Sequence, residues 1–188
     1  MTAEDGKDGQ GTKNIDYNTM HRFRNTNFAQ SNKYIDMSFL NAIINEVKDE
    51  VLREELQDRL DIIQHKIKFM DPVPVVCLDT HNQLNYVLEG LVLDAGGVFH
   101  QFAAGAKVVI YLEKDKTIAE LMSAVPALLE NEWPAVEYNR LYLLDGNALA
   151  DEDPLRLIVA LEDIAEMLYP GYFVFGNEGI NWISFKTQ

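Results

Sequence analysis

Cysteine is nearly absent: Cys77 stands alone, which rules out an internal disulfide and leaves any zinc site to other ligands. Its neighbours in VPVVCL are core-type residues, so a buried strand position is expected rather than a reactive thiol. Long apolar runs are missing as well, and none approaches the roughly 18 residues a membrane span needs. The first residues, MTAEDGKDGQGTKN, contain no apolar stretch of the kind an export signal carries, which points to the cytoplasm. Positive charge is scarce: Lys+Arg number 16 against Asp+Glu 30, for a formal net charge of −14. That field opposes polyanions, so nucleic acid and membrane insertion are not expected.

Reactive motifs are equally thin. His21, His65, His81 and His100 share no HxH or HExxH spacing, so no metal site is expected. GxSxG, Walker A and GxGxxG are all missing, which removes the usual support for acyl transfer, P-loop chemistry or a bound cofactor. No nucleophile, base and orienting group can be paired, and the chain does not read as an enzyme.

What is present is ordinary globular material, 47% apolar over 188 residues, enough for one α/β domain with an arm. Residues 1–14 are Gly-, Asp- and Lys-rich and predict a disordered arm. Residues 15–37 mix aromatics with Asn and Arg without a period and predict an irregular segment. From 38 to 70 two apolar stripes follow each other, Leu40, Ile43, Ile44, Val47, Val51 and then Leu52, Leu56, Leu60, Ile63, Ile67, with a phase change near Asp49. That pattern predicts a helix pair or one long bent helix, capped by Ser38 or Asp36 and stopped by Asp71-Pro72. After Pro72 the period changes. VPVVCL, VFHQF, KVVIYL and RLYLLD read as strands, alternating with helical patterns near 84–95, 117–129 and from Pro154 onward. Alternation of this kind predicts a mostly parallel sheet flanked by helices, a single Rossmann-like lobe over 71–188. One connection resists it. Only Ala103, Ala104, Gly105 and Ala106 separate VFHQF from KVVIYL, whereas a parallel crossover takes a dozen residues or more. The two strands therefore pair antiparallel, or one is outside the sheet, or they are not neighbours.

Open parallel sheets bind ligands in loops past the carboxyl ends of their strands. Here those loops are Asp79-Thr80-His81-Asn82, Glu113-Lys114-Asp115 and Asp145-Gly146-Asn147. The first offers carboxylate, hydroxyl, imidazole and amide in a row, although capping of a following helix by Asp79 or Thr80 is the ordinary use of such residues. In YLLDGNALADEDP the carboxylates lack the spacing and terminal Glu of a calcium loop. Asp145-Gly146-Asn147 reads instead as a turn, and Asp153-Pro154 as a helix start.

The order VPVVCLD, LDAGG, KVVIYL, WPAVEYNRLYLLDGNAL, PLRLIVALEDIAEMLYP, FGNEGINWISF resembles the second lobe of the cobalamin and iron-siderophore substrate-binding proteins of ABC importers. The resemblance runs from about residue 38 to 185. It implies a lobe preceded by a long backbone helix, a corrinoid or ferric-siderophore ligand, and a location in the cell envelope. Asp79, Thr80, His81, Asn82, Glu113, Lys114, Asn147 and Arg156 would form half of a ligand surface. The expected first lobe has no counterpart before residue 38, so a homodimer or a separate first-lobe protein would supply the second wall. The family's aromatic and Asp-Pro after the first strand are replaced by Asp79-Thr80-His81-Asn82, and its usual acidic docking position falls on Leu93. A protein-interaction module that kept the lobe fold and lost its ligand is the rival expectation.

Overall fold

The computed structural model describes residues 38–149 and 153–187. The arm over 1–14, the segment 15–37 with His21 and Asp36, and Ala150 to Glu152 lie outside the described residues.

The stripes fold as two helices, with Val47 in the link between them and Val51 in the second helix, exposed to solvent. α1 (Phe39–Asn45) is capped by Ser38, whose side chain accepts the Asn41 N–H, and α2 (Glu50–Ile67) by Asp49, which accepts the Leu52 N–H. The phase change near Asp49 is the break between them. α1 is fixed further by Asp94, a buried carboxylate that accepts the Leu40 N–H at 2.9 Å. Burial raises the Asp94 pKa, while hydrogen bonds from the first turn of α1 pull it back.

Five strands follow: β1 (Val73–Leu78), β2 (Gly97–Phe99), β3 (Val108–Tyr111), β4 (Leu141–Leu144) and β5 (Trp182–Phe185). They form one sheet in the order β2-β1-β3-β4-β5, parallel throughout except for β5, which runs antiparallel to β4. The central strands are apolar without alternation because both faces are covered. Val75, Cys77, Ile110 and Leu144 face a core built with α1, α2, α3 (Glu89–Asp94) and α6 (Pro154–Leu168). Val76, Tyr111 and Leu143 face a second core with α4 (Ile118–Ala124), a short 3₁₀ turn after it and α5 (Pro134–Glu137). Cys77 is fully buried, and burial pushes its thiol far up from the ordinary range, in keeping with a packing role.

The short connection is resolved by register. Phe99 and Val108 both align with Val75, so β2 ends at the level where β3 begins, on the opposite edge of β1. The chain has no return journey to make. It steps over one strand, roughly 10 Å, through a 3₁₀ turn at Ala103–Gly105, with the His100 N–H donating to Val75 O and the Lys107 N–H to Pro74 O. Some expectations are shortened. Strand geometry in VFHQF stops at Phe99, and Leu84 pairs with Leu78 before α3 begins. Thr117 caps α4 with a full capping box to Glu120, Asp153 caps α6 with Pro154 in its first turn, and Pro126 sits in the 3₁₀ turn that ends the α4 segment.

A loop after α6 returns the chain to β5 and is held by Asp163, whose fully buried carboxylate accepts Nδ2–H groups of Asn177 at 2.8 Å and Asn181 at 3.1 Å. Burial, aided by the neighbouring Glu162 and Glu166, pushes the Asp163 pKa up to about 6 against those hydrogen bonds. A carboxyl that is a weaker acid in the folded chain favours folding when protonated. Its stabilising contribution is complete below the unfolded value near 4 and is lost as pH rises through about 6. In denaturation midpoints measured from pH 4 to 7.5, the difference between wild type and Asp163→Asn should therefore shift against wild type as pH rises. A difference that stays level across this range would refute the assignment.

Candidate functional site

The sheet reverses its order of growth at β1: β2 lies on one side of it, β3 and then β4 on the other. In a doubly wound sheet this is the switch point, where connections diverge and open a crevice at the strand carboxyl ends. The loop after β1 and the loop after β3 meet there.

Glu113, just past β3, takes the centre. Its Oε2 accepts the Thr80 hydroxyl and, at 3.1 Å, the Thr80 N–H, while its Oε1 lies 3.0 Å from Lys116 Nζ. Lys116 also donates to Thr80 Oγ1 at 2.9 Å and so closes a three-residue ring. The Thr80 hydroxyl and the Lys116 cation hold the Glu113 carboxyl down to about 2. Replacing Thr80 with Ala should raise the Glu113 midpoint toward its ordinary 4.5, read by carboxyl NMR titration. An unmoved midpoint would show that the hydroxyl does not carry the shift.

The other expected loop residues are occupied locally. Asp79 does not cap a helix; its Oδ1 accepts the N–H groups of His81 at 2.8 Å and Gln83 at 2.9 Å, holding a tight turn. Asn82 stands at φ 55 in that turn, receives the Tyr111 hydroxyl on Oδ1 at 2.7 Å and donates Nδ2–H to Leu128 O at 2.9 Å. It ties the β1 loop to the chain beyond α4. His81 and Lys114 are exposed. Asn147 bends back, donating its backbone and side-chain N–H to Asp145 Oδ1. Arg156 lies exposed in the first turn of α6. The structure thus joins Thr80 directly to Glu113 and adds Lys116, which the sequence reading had passed over. An i,i+3 pair is a recognised signal on a helix, but these two residues lie in a loop, where nothing in the sequence fixes the spacing.

Gly146 brings the third loop in. Its N–H donates to Lys116 O at 2.8 Å, and a Cβ there would meet Glu113 O at 1.9 Å. Only glycine permits that approach.

Beside this ring an open cleft of about 310 Å³ is lined by Leu78, Leu84, Phe102, Glu130 and Trp133, with Asn82 at its wall. The Trp133 indole donates to Glu130 Oε2 at 3.0 Å. The cleft lies where the β2–β3 connection crosses in a short turn instead of a covering helix. It is mainly apolar, with the Glu130 carboxylate and the amides of Asn82 and Gln101 among its lining groups. Among the described residues no three His, Cys, Asp or Glu side chains gather as a metal site, and no described helix is long and apolar enough to cross a membrane.

No protein-family model matches the sequence, and no curated protein sequence does. Solved structures do match. An ABC transporter substrate-binding protein from Listeria monocytogenes EGD-e aligns with a TM-score of 0.55 at 18% identity, over 73% of this chain and 67% of that one. A periplasmic heme binding protein from Pseudomonas aeruginosa gives 0.45 at 21% identity over 64% of this chain, and the TroA-like periplasmic binding protein FepB from Veillonella parvula gives 0.48 at 11% identity over 65%. This chain spans about half the length of those two, 51% and 47%. At such identities the likeness is one of architecture: the chain shares its α/β fold with an ABC transporter substrate-binding protein.

Proposed function

We propose that this protein is a non-catalytic binding lobe, a reduced relative of the substrate-binding proteins for cobalamin or iron-siderophore. It would use its strand-end loops as one wall of a ligand cleft and take the other wall from a second copy or a separate first-lobe protein. The observation that carries this reading is the meeting of Thr80, Glu113 and Lys116 at the switch point of the sheet, a hydroxyl, a carboxylate and an ammonium presented together. Such a face can hydrogen-bond the polar rim of a corrinoid amide or a siderophore. Binding is expected to perturb the ligand's visible absorption and to weaken in Lys116→Ala. Titration with cyanocobalamin and with a ferric siderophore, alongside native mass spectrometry of protein taken from fractionated cells, tests ligand, oligomer and compartment together. A strictly monomeric protein with no spectral change would sink the reading.

A second reading has its own observation. The polar groups of the ring already satisfy one another, and Asp79 and Asn82 are committed to backbone and to Tyr111. Any ligand must compete with those bonds. An interaction module that kept the lobe and lost its ligand accounts for a switch point closed in this way, and the same titrations decide between the two.

A further inference from the structure

We propose that the open cleft beside the ring is a separate binding site for a small aryl-alkyl primary amine. The ammonium would meet Glu130 and the aromatic body would cover the apolar wall. A parallel crossover ordinarily lays a helix on the face of the sheet. Here a 3₁₀ turn at Ala103–Gly105 crosses in its place, and a cleft of about 310 Å³ stays open between the β1 loop, that turn and the chain ahead of α5. The volume falls at the lower end of the roughly 300–1,000 Å³ of ligand clefts, which suits a small molecule rather than a corrinoid.

Glu130 is held in place before any ligand arrives. The Trp133 backbone N–H donates to Glu130 O at 3.1 Å and its indole Nε1–H to Glu130 Oε2 at 3.0 Å, so one short turn fixes the carboxylate against a buried indole. A group positioned in advance loses little entropy on binding. Its other oxygen, Oε1, accepts no hydrogen bond from the described residues, and the Gln101 amide has no partner among them either. Burial, and after it the charge of Glu130, pushes the Tyr111 phenol up from its ordinary range. The Tyr111 hydroxyl ends on Asn82 at the cleft wall, so the field of Glu130 reaches that wall. Glu130 itself stands at the solvent edge. An ammonium placed there keeps part of its hydration while the apolar body behind it is covered.

Charge selects the occupant. Glu130 is the one charged residue of the lining, and the three segments that form it, 78–84, 101–104 and 130–133, carry Asp79, Glu130 and Glu132 but neither Lys nor Arg. Lys116, in the ring beside the cleft, is already paired with Glu113. An anion would therefore meet repulsion with no cation to offset it, and a neutral molecule would leave Glu130 unanswered. A metal ion needs several ligand atoms at once, and no three suitable side chains gather among the described residues. An organic ammonium asks for less: the Glu130 carboxylate and the amide oxygen of Gln101 accept two of its three N–H donors. The ring behind it meets Leu78, Leu84, Phe102 and Trp133. Phe102 is 73% exposed, so covering it removes apolar area from water, and two aromatic side chains in one wall favour an aromatic partner over a plain alkyl chain.

The probe is phenethylamine, titrated into the isotope-labelled full chain and followed by NMR. Phenethyl alcohol, phenylpropionate and butylamine serve as the neutral, anionic and ring-free comparisons, the last carrying the head and stem of a lysine side chain. The indole N–H signals of Trp133 and Trp182 report separately, because the two residues lie in opposite cores. Saturable displacement of the Trp133 signal, with that of Trp182 unmoved, is expected for phenethylamine. Each comparison should bind about tenfold or more weakly, and so should phenethylamine in Glu130→Gln, which keeps an acceptor for the indole, and in Phe102→Ala. Both positions are exposed, and unchanged denaturation midpoints would confirm that each variant is folded. Equal binding of any comparison, full affinity in either variant, displacement of Trp182 in place of Trp133, or no displacement at all would each overturn the proposal. Corrinoid and siderophore titrations read the Thr80–Glu113–Lys116 ring through visible absorption, so the two proposals fail separately.

Discussion

Gly146→Ala is expected to lower the denaturant midpoint sharply, with a loss of about 3 kcal/mol at the upper end of overpacking costs. The added Cβ would fall 1.9 Å from Glu113 O and 2.9 Å from Lys116 O. Both are backbone atoms, so no side chain can swing aside. To relieve the clash the loop after β4 must withdraw from the loop after β3, which breaks the Gly146 N–H bond to Lys116 O. The same withdrawal loosens the ring that holds Glu113 down, so the carboxyl midpoint should rise along with the stability loss. The slope of unfolding should stay constant, since the surface exposed on unfolding hardly changes. A wild-type midpoint in this variant would mean that the two loops do not touch as described.

The second large effect is expected at Arg59. Its Nε donates to Glu162 Oε1 at 2.9 Å and its Nη2 to Oε2 at 2.7 Å, a two-pronged bond between α2 and α6 across 103 positions of sequence. The Glu162 side chain is only 10% exposed, that of Arg59 25%. Arg59→Met strands a largely buried carboxylate beside Asp163, and should cost about 3 kcal/mol, the lower bound for breaking a buried pair because this one keeps some water. Arg59→Met combined with Glu162→Leu should recover most of that loss, since matched apolar residues need no desolvation. Arg59→Lys should recover only part, because an ammonium cannot form the planar fork. Chemical denaturation of the two single variants and the double variant gives the coupling energy. Simple additivity would show that the pair contributes nothing as a pair.

Those two positions mark where sequence reading stops. The central strands were legible because VPVVCL, KVVIYL and RLYLLD are apolar without alternation, a pattern that burial on both faces dictates. The helix starts at Ser38, Asp153 and Thr117 were legible because caps are local chemistry. Among the candidate residues Thr80 and Glu113 are joined from separate loops, and the reason lies in tertiary distance. Their bond spans 33 positions and exists only because β1 and β3 are neighbours. Lys116 joins them for the same reason. Asn82 read as a ligand group because an amide in a strand-end loop has the right chemistry; the Tyr111 hydroxyl that occupies it comes from the next strand and leaves no local trace. The antiparallel β5 is short, and nothing in Trp182–Phe185 states its direction. Nor does anything local mark Arg59, whose fork closes on Glu162 103 positions away.

The short step of the chain over β1 has a kinetic consequence. β2 holds β1 through Val73 to Val75, while β3 holds it from Val75 to Leu78, so Val75 alone is paired on both edges. The sheet is thus two overlapping ladders hinged at one residue. Amide exchange should resolve them into separate opening units: the β2 ladder, with few bonds and an outer edge that pairs with no strand among the described residues, exchanging early, and the β3–β4 ladder exchanging only with global unfolding.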